Sequence, residues 1–280
     1  MTTDEATLVA DPPPEPGPSG GQRTVGDLVR TFFRGVGQTL ITLGVVVLLF
    51  IVYEVWVTNW FTDRENHRLR SQLETEWANG QDPLPLPGSG PHAIKLGTGI
   101  ANLYIPRLGT DFAWTIVQGG DPPDQDVLSK GPAHYGETQL PGQKGNFAVA
   151  GHRVGKGEPF LNLDHLKPGD TVIVETGHDW YVYRVKGLDH GLKQPDADGI
   201  PGSEVVGPDD GSPLFPIPHD PSSTAATATE SLMTMTTCTP KFTAENRLIV
   251  YAVLDTKLTV PWSGNTMPQS IRDLYQAVNG

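Results

Sequence analysis

Charged residues are absent between Arg34 and Glu54, and within that gap Leu40 to Tyr53 is almost continuously apolar. Nineteen uncharged residues at about 1.5 Å each make a helix of roughly 28 Å, close to the hydrocarbon thickness of a bilayer. The run predicts a transmembrane signal-anchor helix over 35–60, with Tyr53, Trp56 and Trp60 as an interfacial aromatic belt. A buried core helix is the competing reading, disfavoured by the length of the run and its flanking arginines and aromatics. A cleavable signal peptide is disfavoured by the long apolar core and the lack of a small-x-small site after it. Arg23, Arg30 and Arg34 on one side balance Arg64, Arg68 and Arg70 on the other, so charge alone leaves the orientation open.

Past the apolar run the pattern turns polar. Thr62-Asp63-Arg64-Glu65 reads as a capping box opening a mostly polar helix to Asn79, with Leu69, Leu73 and Trp77 at four-residue spacing. Gly80 to His92 is Pro-rich and reads as a semi-rigid stalk, so that 61–92 is expected to be polar helix plus spacer. From Ala93 to Lys257 strand-like runs recur between Gly, Pro and Asp clusters: Ile100–Pro106, Phe112–Gln118, Asn146–Ala150, Thr171–Thr176, Trp180–Lys186, Met233–Thr237 and Leu248–Leu254. Short strands with few helical periods imply an all-β, closed or nearly closed architecture over 93–257. Pro195 to Ser231 shows little strand pattern and is longer than a compact domain tolerates unless it is functional or mobile. In the tail, 258–280, the helical spacing of Ile271, Leu274, Tyr275 and Val278 predicts a short helix on the barrel.

Composition sharpens this outline at its ends. Met1 to Gln22 is rich in Pro, Gly and acidic residues and too poor in apolar ones to repay the entropy of ordering, which makes 1–34 a disordered tail. The chain's 32 Gly and 26 Pro, about a fifth of it, favour short elements and turns over a helical bundle. With 20 basic and 32 acidic residues, a formal charge of −12 and no Lys/Arg cluster, it is not expected to bind nucleic acid. One cysteine, Cys238, excludes an intrachain disulfide and any Cys-rich metal site.

A lone thiol is either a small buried hydrophobe or a nucleophile, and its neighbours favour the second. Met233-Thr234-Met235-Thr236-Thr237-Cys238 reads as a strand, and Pro240, which cannot donate to a ladder, places the thiol at its end. His152 follows the apolar run Phe147–Ala150, and Arg247 opens the run Leu248–Leu254. A thiol, an imidazole and a guanidinium at strand ends are the parts of a cysteine-dependent acyl transfer: a nucleophile, a proton carrier and an oxyanion partner. Arg153 and Arg184 compete for the last role.

These residues resemble the sortases. Thr236-Thr237-Cys238-Thr239-Pro240, Arg247 nine residues on, and Ala150-Gly151-His152-Arg153 upstream carry the resemblance. So do Ile105–Gly109, Gly131–Tyr135, Leu140–Gln143 and Leu166–Asp170. The match runs over about residues 97 to 256 and is nearest to the actinobacterial class E. The resemblance implies an eight-stranded β-barrel with a few short helices behind one transmembrane helix. It implies a cell-membrane enzyme with a cytoplasmic N-terminus and an extracytoplasmic catalytic domain. It also implies cleavage of a Leu-Pro-x-Thr-Gly or Leu-Ala-x-Thr-Gly sorting signal after Thr, through a thioester. The partners would be surface proteins bearing such signals, and the acceptor an amine of lipid II, of peptidoglycan or of a pilin lysine.

By the same resemblance Cys238 is the nucleophile, His152 the general acid and base, and Arg247 the residue that positions substrate and stabilises the oxyanion. Thr236, Thr237, His134 and Tyr135 are expected to line the substrate groove, with the 195–231 segment beside it. The motif departs from the family at Met235, after Thr234, where Leu is usual. The alternatives are another extracytoplasmic cysteine acyltransferase, such as an L,D-transpeptidase, whose Ser-His-Gly-Cys pattern is absent, and an anchored non-enzymatic module. No cofactor and no metal is implied. Asp196-x-Asp198-Gly199 begins like a calcium loop, but Gly207 stands where its closing Glu belongs, and Asp121, Asp124 and Asp126 read as a solvated face.

Overall fold

The period-two runs of the second half pair into one closed sheet. The computed structural model describes residues 25–53, 58–85, 93–155, 157–188 and 191–279. Its strands are β1 (Gly99–Tyr104), β2 (Ala113–Gln118), β3 (Ala133–His134), β4 (Gly145–Ala150), β5 (Thr171–Glu175), β6 (Asp179–Val185), β7 (Ser203–Val206), β8 (Ser231–Thr239), β9 (Asn246–Leu254) and β10 (Val260–Pro261). They lie in the order β6-β5-β1-β2-β3-β4-β8-β9, and β9 returns to β6 through Tyr183↔Leu254, Arg184↔Val253 and Val185↔Ala252. That pairing closes an eight-stranded barrel, with β10 and β7 added outside it on β6 and β9.

All seven expected strands are present. The three others are short, and β7 corrects the expectation for 195–231, since it lies inside that stretch and pairs with β9 from Ser203↔Val250 to Val206↔Arg247. Four residues carry too little alternation to stand out from the surrounding turns. The barrel interior is filled from alternate positions: Phe147 and Val149 of β4, Met233 and Met235 of β8, and Leu248, Val250 and Ala252 of β9 are all buried in one cluster. The next positions along, Leu232, Ile249 and Tyr251, pack outside the barrel with Ile200. Most neighbours are antiparallel, but β4 runs parallel to β8, from Gly145↔Ser231 to Ala150↔Thr236.

Two helices cover the barrel. The first, α2 (Thr58–Ala78), follows an N-terminal helix α1 (Val25–Val52). In α2, Leu69, Leu73 and Trp77 are buried, as their spacing predicts. Asn66 accepts the Thr115 amide at 2.7 Å and donates to the Ala113 carbonyl at 3.0 Å, supplying β2 with bonds its short neighbour β3 does not. Because α2 begins at Thr58, Thr62–Glu65 lies inside it and is not a capping box, for the preceding turn already occupies the amides such a box would bind. Leu84 joins the barrel core, so the described start of the expected stalk lies against the barrel. The stalk's residues 86–92 lie outside the described residues, as do the tail 1–24 and Trp56 of the aromatic belt.

Within α1, Val29–Val52 forms 24 helical residues, and an 18-residue window within them has a mean hydropathy of 2.3. Its apolar side chains, Leu40 to Val52 among them, are exposed. A long apolar helix with exposed side chains fits a membrane anchor. The helix starts before residue 35 and ends at Val52, and Trp60 belongs to α2.

The second covering helix is the expected one in the tail. After the short α3 (Gln125–Leu128), α4 (Gln269–Asn279) packs Ile271 onto Tyr104, Ile173, Trp180 and Val182, where the Tyr104 and Trp180 rings stack at 5.7 Å. Ile271→Ala is expected to lower unfolding stability by about 3 kcal/mol, the usual cost of emptying a buried aliphatic site. Chemical denaturation measures it, and a loss under about 1 kcal/mol would show that α4 does not seal this face.

Candidate active site

Strand direction brings the chemistry together. Because β4 and β8 are parallel, the chain after β4 and the end of β8 emerge at the same end of the barrel, and β9, antiparallel to β8, begins there. Cys238 pairs directly with Arg247 across β8 and β9. On the other side the β4–β8 register reaches Ala150↔Thr236, and the Gly151 amide donates to the Thr236 carbonyl at 3.0 Å. Past the ladder's end, Arg153 Nη1 donates to the Cys238 carbonyl at 3.3 Å, which ties the segment carrying His152 to Cys238. Neighbouring strands lie about 5 Å apart, so the thiol stands in the middle strand with the segment that carries the imidazole on one side and a guanidinium on the other.

Alternation puts Cys238 and Arg247 on one face. Met233 and Met235 point into the barrel, so Thr234, Thr236 and Cys238 point out. On β9, Leu248 and Val250 point in, so Arg247 points out beside Ile249. On β4, Phe147 and Val149 point in and Ala148 and Ala150 point out, and His152 follows two residues past the strand's end. The His152 segment is fixed at both peptides, since the Phe160 amide donates to its carbonyl at 3.0 Å. A Cβ at Gly151 would lie 2.5 Å from the Phe160 ring, so glycine is what allows this turn to close.

The outer face near Cys238 is a stripe of hydroxyls. Thr234 donates to Asn146 at 2.7 Å, and Thr236 and Tyr135 share a hydrogen bond of 2.9 Å. Burial pushes the Tyr135 phenol up, while the Thr236 hydrogen bond and the positive field of Arg247 pull it back. The same phenol also feels Cys238, which places Tyr135 beside the site. Cys238 itself is half-buried.

Two other expected groove residues fall elsewhere. His134 is 1% exposed. Its Nδ1 lies 3.1 Å from Gln118 Oε1 and its Nε2 3.0 Å from the Gln139 carbonyl, and the ring packs on Phe147. It offers no surface to a substrate, and its assignment to the groove is corrected: it is a frame residue joining β3, β4 and the 135–139 turn. Thr237 points inward and donates to the Gly151 carbonyl at 2.8 Å, so its hydroxyl too is committed to the frame, one residue before His152. The adjacent dipeptides His134-Tyr135 and Thr236-Thr237 look alike in sequence, and strand alternation alone separates the member that faces out.

Of the competing guanidiniums, Arg184 sits on β6 opposite Val253, at the far end of β9 from Arg247, where it donates to Thr171 Oγ1 and the Gly169 carbonyl. Arg153 is buried and committed to protein acceptors. Arg247 is the one on the face of Cys238, braced by bonds of 3.2 Å from its Nη1 to the carbonyls of Ala244 and Asn246. Two clefts of about 510 and 500 Å³ flank α2 near Arg70 and Phe112, and their lining includes none of Cys238, His152 and Arg247. At Asp196 and Asp198 a lysine fills the place a cation would take, with Lys186 Nζ 3.1 and 2.7 Å from the two carboxylates.

Sequence reasoning missed Asn146. It is buried on the outer face of β4 and donates to the carbonyls of Pro213 and Phe215, pinning the long segment before β8. A lone amide inside the apolar run Gly145–Ala150 is the signal that could have found it.

A barrel that sets its only cysteine at a strand end, paired with an arginine and tied to the segment after β4 that carries a histidine, points to a thiol-dependent acyl-transfer class. A sortase domain model matches residues 103–255. The curated sortases SrtE1 and SrtE2 of Streptomyces coelicolor are 34% and 31% identical to the chain over 224 and 241 residues. Those stretches are 78% and 84% of this chain, and 56% and 86% of theirs, so the match spans little more than half the length of the first. The solved structure of the SrtF sortase from Corynebacterium diphtheriae is similar with a TM-score of 0.57 at 35% identity, over 67% of this chain and 98% of that one. The chain belongs to the sortase family, a family of cysteine transpeptidases, and the class E resemblance read from its motifs agrees with these relatives.

Burial drives the His134 imidazole from its usual 6.5 down to about 4. The folded state therefore holds a neutral ring where the unfolded chain binds a proton, and stability contributed above pH 6.5 is lost as the pH falls toward 4. The loss is about 3 kcal/mol at its fullest. Denaturation at a series of pH values should show stability falling with acidity over this window, with the slope reduced in His134→Gln. An unchanged slope in the variant would sink the assignment.

Proposed function

We propose that the chain is a membrane-anchored cysteine transpeptidase. It cleaves a C-terminal Leu-Pro-x-Thr-Gly or Leu-Ala-x-Thr-Gly signal after Thr and passes the acyl group to an amine of a peptidoglycan precursor. The observation that supports this is the pairing of Cys238 with Arg247 across β8 and β9, with the segment that carries His152 following β4 at the same end of the barrel. In the first step Cys238 Sγ attacks the Thr carbonyl, its proton passes through His152 to the departing Gly amine, the C–N bond breaks and a thioester forms. In the second an amine attacks the thioester, the C–S bond breaks, a new amide forms and the proton returns to sulfur. Arg247 holds the substrate and the oxyanion in both steps, and Tyr135, held by the buried Thr236, borders the groove.

The exposed apolar helix α1 supports single-pass anchoring. Sorting signals belong to exported proteins, which sets the barrel outside the cell and the N-terminus in the cytoplasm. A pilin lysine is the other amine that this chemistry accepts, and acceptor competition separates it from the peptidoglycan amine.

Incubation of the full chain with labelled signal peptides should give cleavage after Thr and a thioester adduct by mass spectrometry. Cys238→Ala is expected to abolish both. His152→Ala should lower kcat about a thousandfold, within the usual reach of general acid–base catalysis. Arg247→Lys should lower it about a hundredfold, because an ammonium does not reproduce a planar fork aimed at an oxyanion. Cleavage at the wild-type rate by Cys238→Ala would remove the proposal, and by Arg247→Ala the role given to the arginine.

A further inference from the structure

The guanidinium of Arg153 ties the two halves of the site together. Arg153 follows His152 directly and is 5% exposed. Its Nη1 donates to the Cys238 carbonyl at 3.3 Å and to Thr239 Oγ1 at 2.9 Å. Its Nη2 pairs with Asp164 at 3.0 Å. Asp164 sits in the turn Leu163–His165, which buried Leu163 anchors to the core. The same turn region meets the chain beyond Cys238, where Lys241 Nζ donates to Asn162 at 3.2 Å and lies 3.9 Å from Asp164. One carboxylate is thus bracketed by cations from both sides: the residue after the imidazole and the residue three beyond the thiol.

Cys238 stands where the β4–β8 ladder has run out. The ladder's last paired residues are Ala150 and Thr236, and beyond them backbone pairing no longer fixes the spacing of His152 and Cys238. Arg153 supplies the missing cross-strand bonds at that point. Its Nε has no acceptor among the described residues. A buried donor left without a partner is a cost that folds carry where another demand sets the geometry.

We infer that Arg153 is a positioning residue for the transpeptidation, holding the Cys238 peptide against the His152 segment through Asp164. The inference rests on the proposed role of Cys238. Arg153 does not touch substrate, because its fork is spent on protein acceptors. It acts on the transition-state geometry and leaves peptide affinity alone, since a misplacement of about 1 Å between reacting groups is enough to slow a step a hundredfold.

The test measures kcat and KM separately for the full chain with whichever signal peptide it cleaves, alongside the melting temperature. Arg153→Gln is expected to lower kcat about a hundredfold with KM within twofold of wild type. Arg153→Lys should recover part of that loss, one ammonium reaching only some of the acceptors of a planar fork. Asp164→Asn should lower kcat about tenfold, and the Arg153→Gln/Asp164→Asn pair should be no slower than Arg153→Gln alone, the mark of two residues acting as one unit. Where Arg153→Gln does not fold, Asp164→Asn, whose carboxylate is 42% exposed, carries the test. A wild-type kcat in these variants, a defect confined to KM, or fully additive losses would overturn the inference. A Cys238→Ala variant that still cleaves would instead overturn the proposed nucleophile.

Discussion

The parallel pairing of β4 with β8 is the constraint on which the site depends. Antiparallel neighbours would send the end of one strand to the beginning of the next, and the residue after β4 would lie at the far end of the barrel from Cys238. Parallel pairing aligns two strand ends that are more than eighty residues apart in sequence, and the antiparallel β9 then brings its first residues to the same edge. Such a pair needs a long crossover, and the chain between the two strands supplies it with β5, β6 and β7. The site is therefore a property of the closed barrel.

The register of β8 is held by polar bonds on both of its faces, which is unusual for a buried strand. Thr234 to Asn146, Thr236 to Tyr135 and Thr237 to Gly151 each cross from β8 to a neighbouring segment. Apolar contacts would tolerate a slip along the strand, because one aliphatic side chain packs much like another. A buried hydroxyl does not, since losing its partner costs about 1–3 kcal/mol. Three such bonds in four residues make a slipped pairing expensive just before the thiol.

The long strands are legible in the sequence because each alternates over five or more residues between turn signals, and α2 and α4 because Leu69, Leu73 and Trp77 or Ile271, Leu274 and Tyr275 repeat at helical spacing. The cysteine, histidine and arginine stand out because strand ends are marked by Pro240, Gly151 and Asn246. Short strands are not legible: β3, β7 and β10 exist through the neighbours they pair with. Nor does sequence tell which of two adjacent polar residues faces outward. His134 and Tyr135 swap chemical meaning with the strand's phase, and that phase is set by Ala133↔Ala150 pairing with the neighbouring β4. The reach of Arg153 to Asp164 depends on a turn whose path no local pattern encodes.

The hidden strand β7 explains how the segment before β8 is seated. Much of the segment's own backbone is satisfied locally, by turns at Asp210–Ser212, Asp220–Ser222 and Thr224–Thr227, which hold its shape but not its position. Position comes from few contacts. Glu204 of β7 accepts from His219 Nε2 at 2.6 Å and from the Tyr251 hydroxyl, His219 Nδ1 meets Ser212 Oγ at 2.9 Å, and Asn146 holds the carbonyls of Pro213 and Phe215. At the root of the segment, burial disfavours the charge on Lys186, but Asp198 and Asp196 outweigh it and hold its pKa above the ordinary value. Each neutral bond of this kind contributes only about 1 kcal/mol net, so the seat over the outer face is set by a handful of side chains. The barrel thus fixes the reacting groups, while the covering segment can vary in length and sequence as long as β7 presents Glu204 to it.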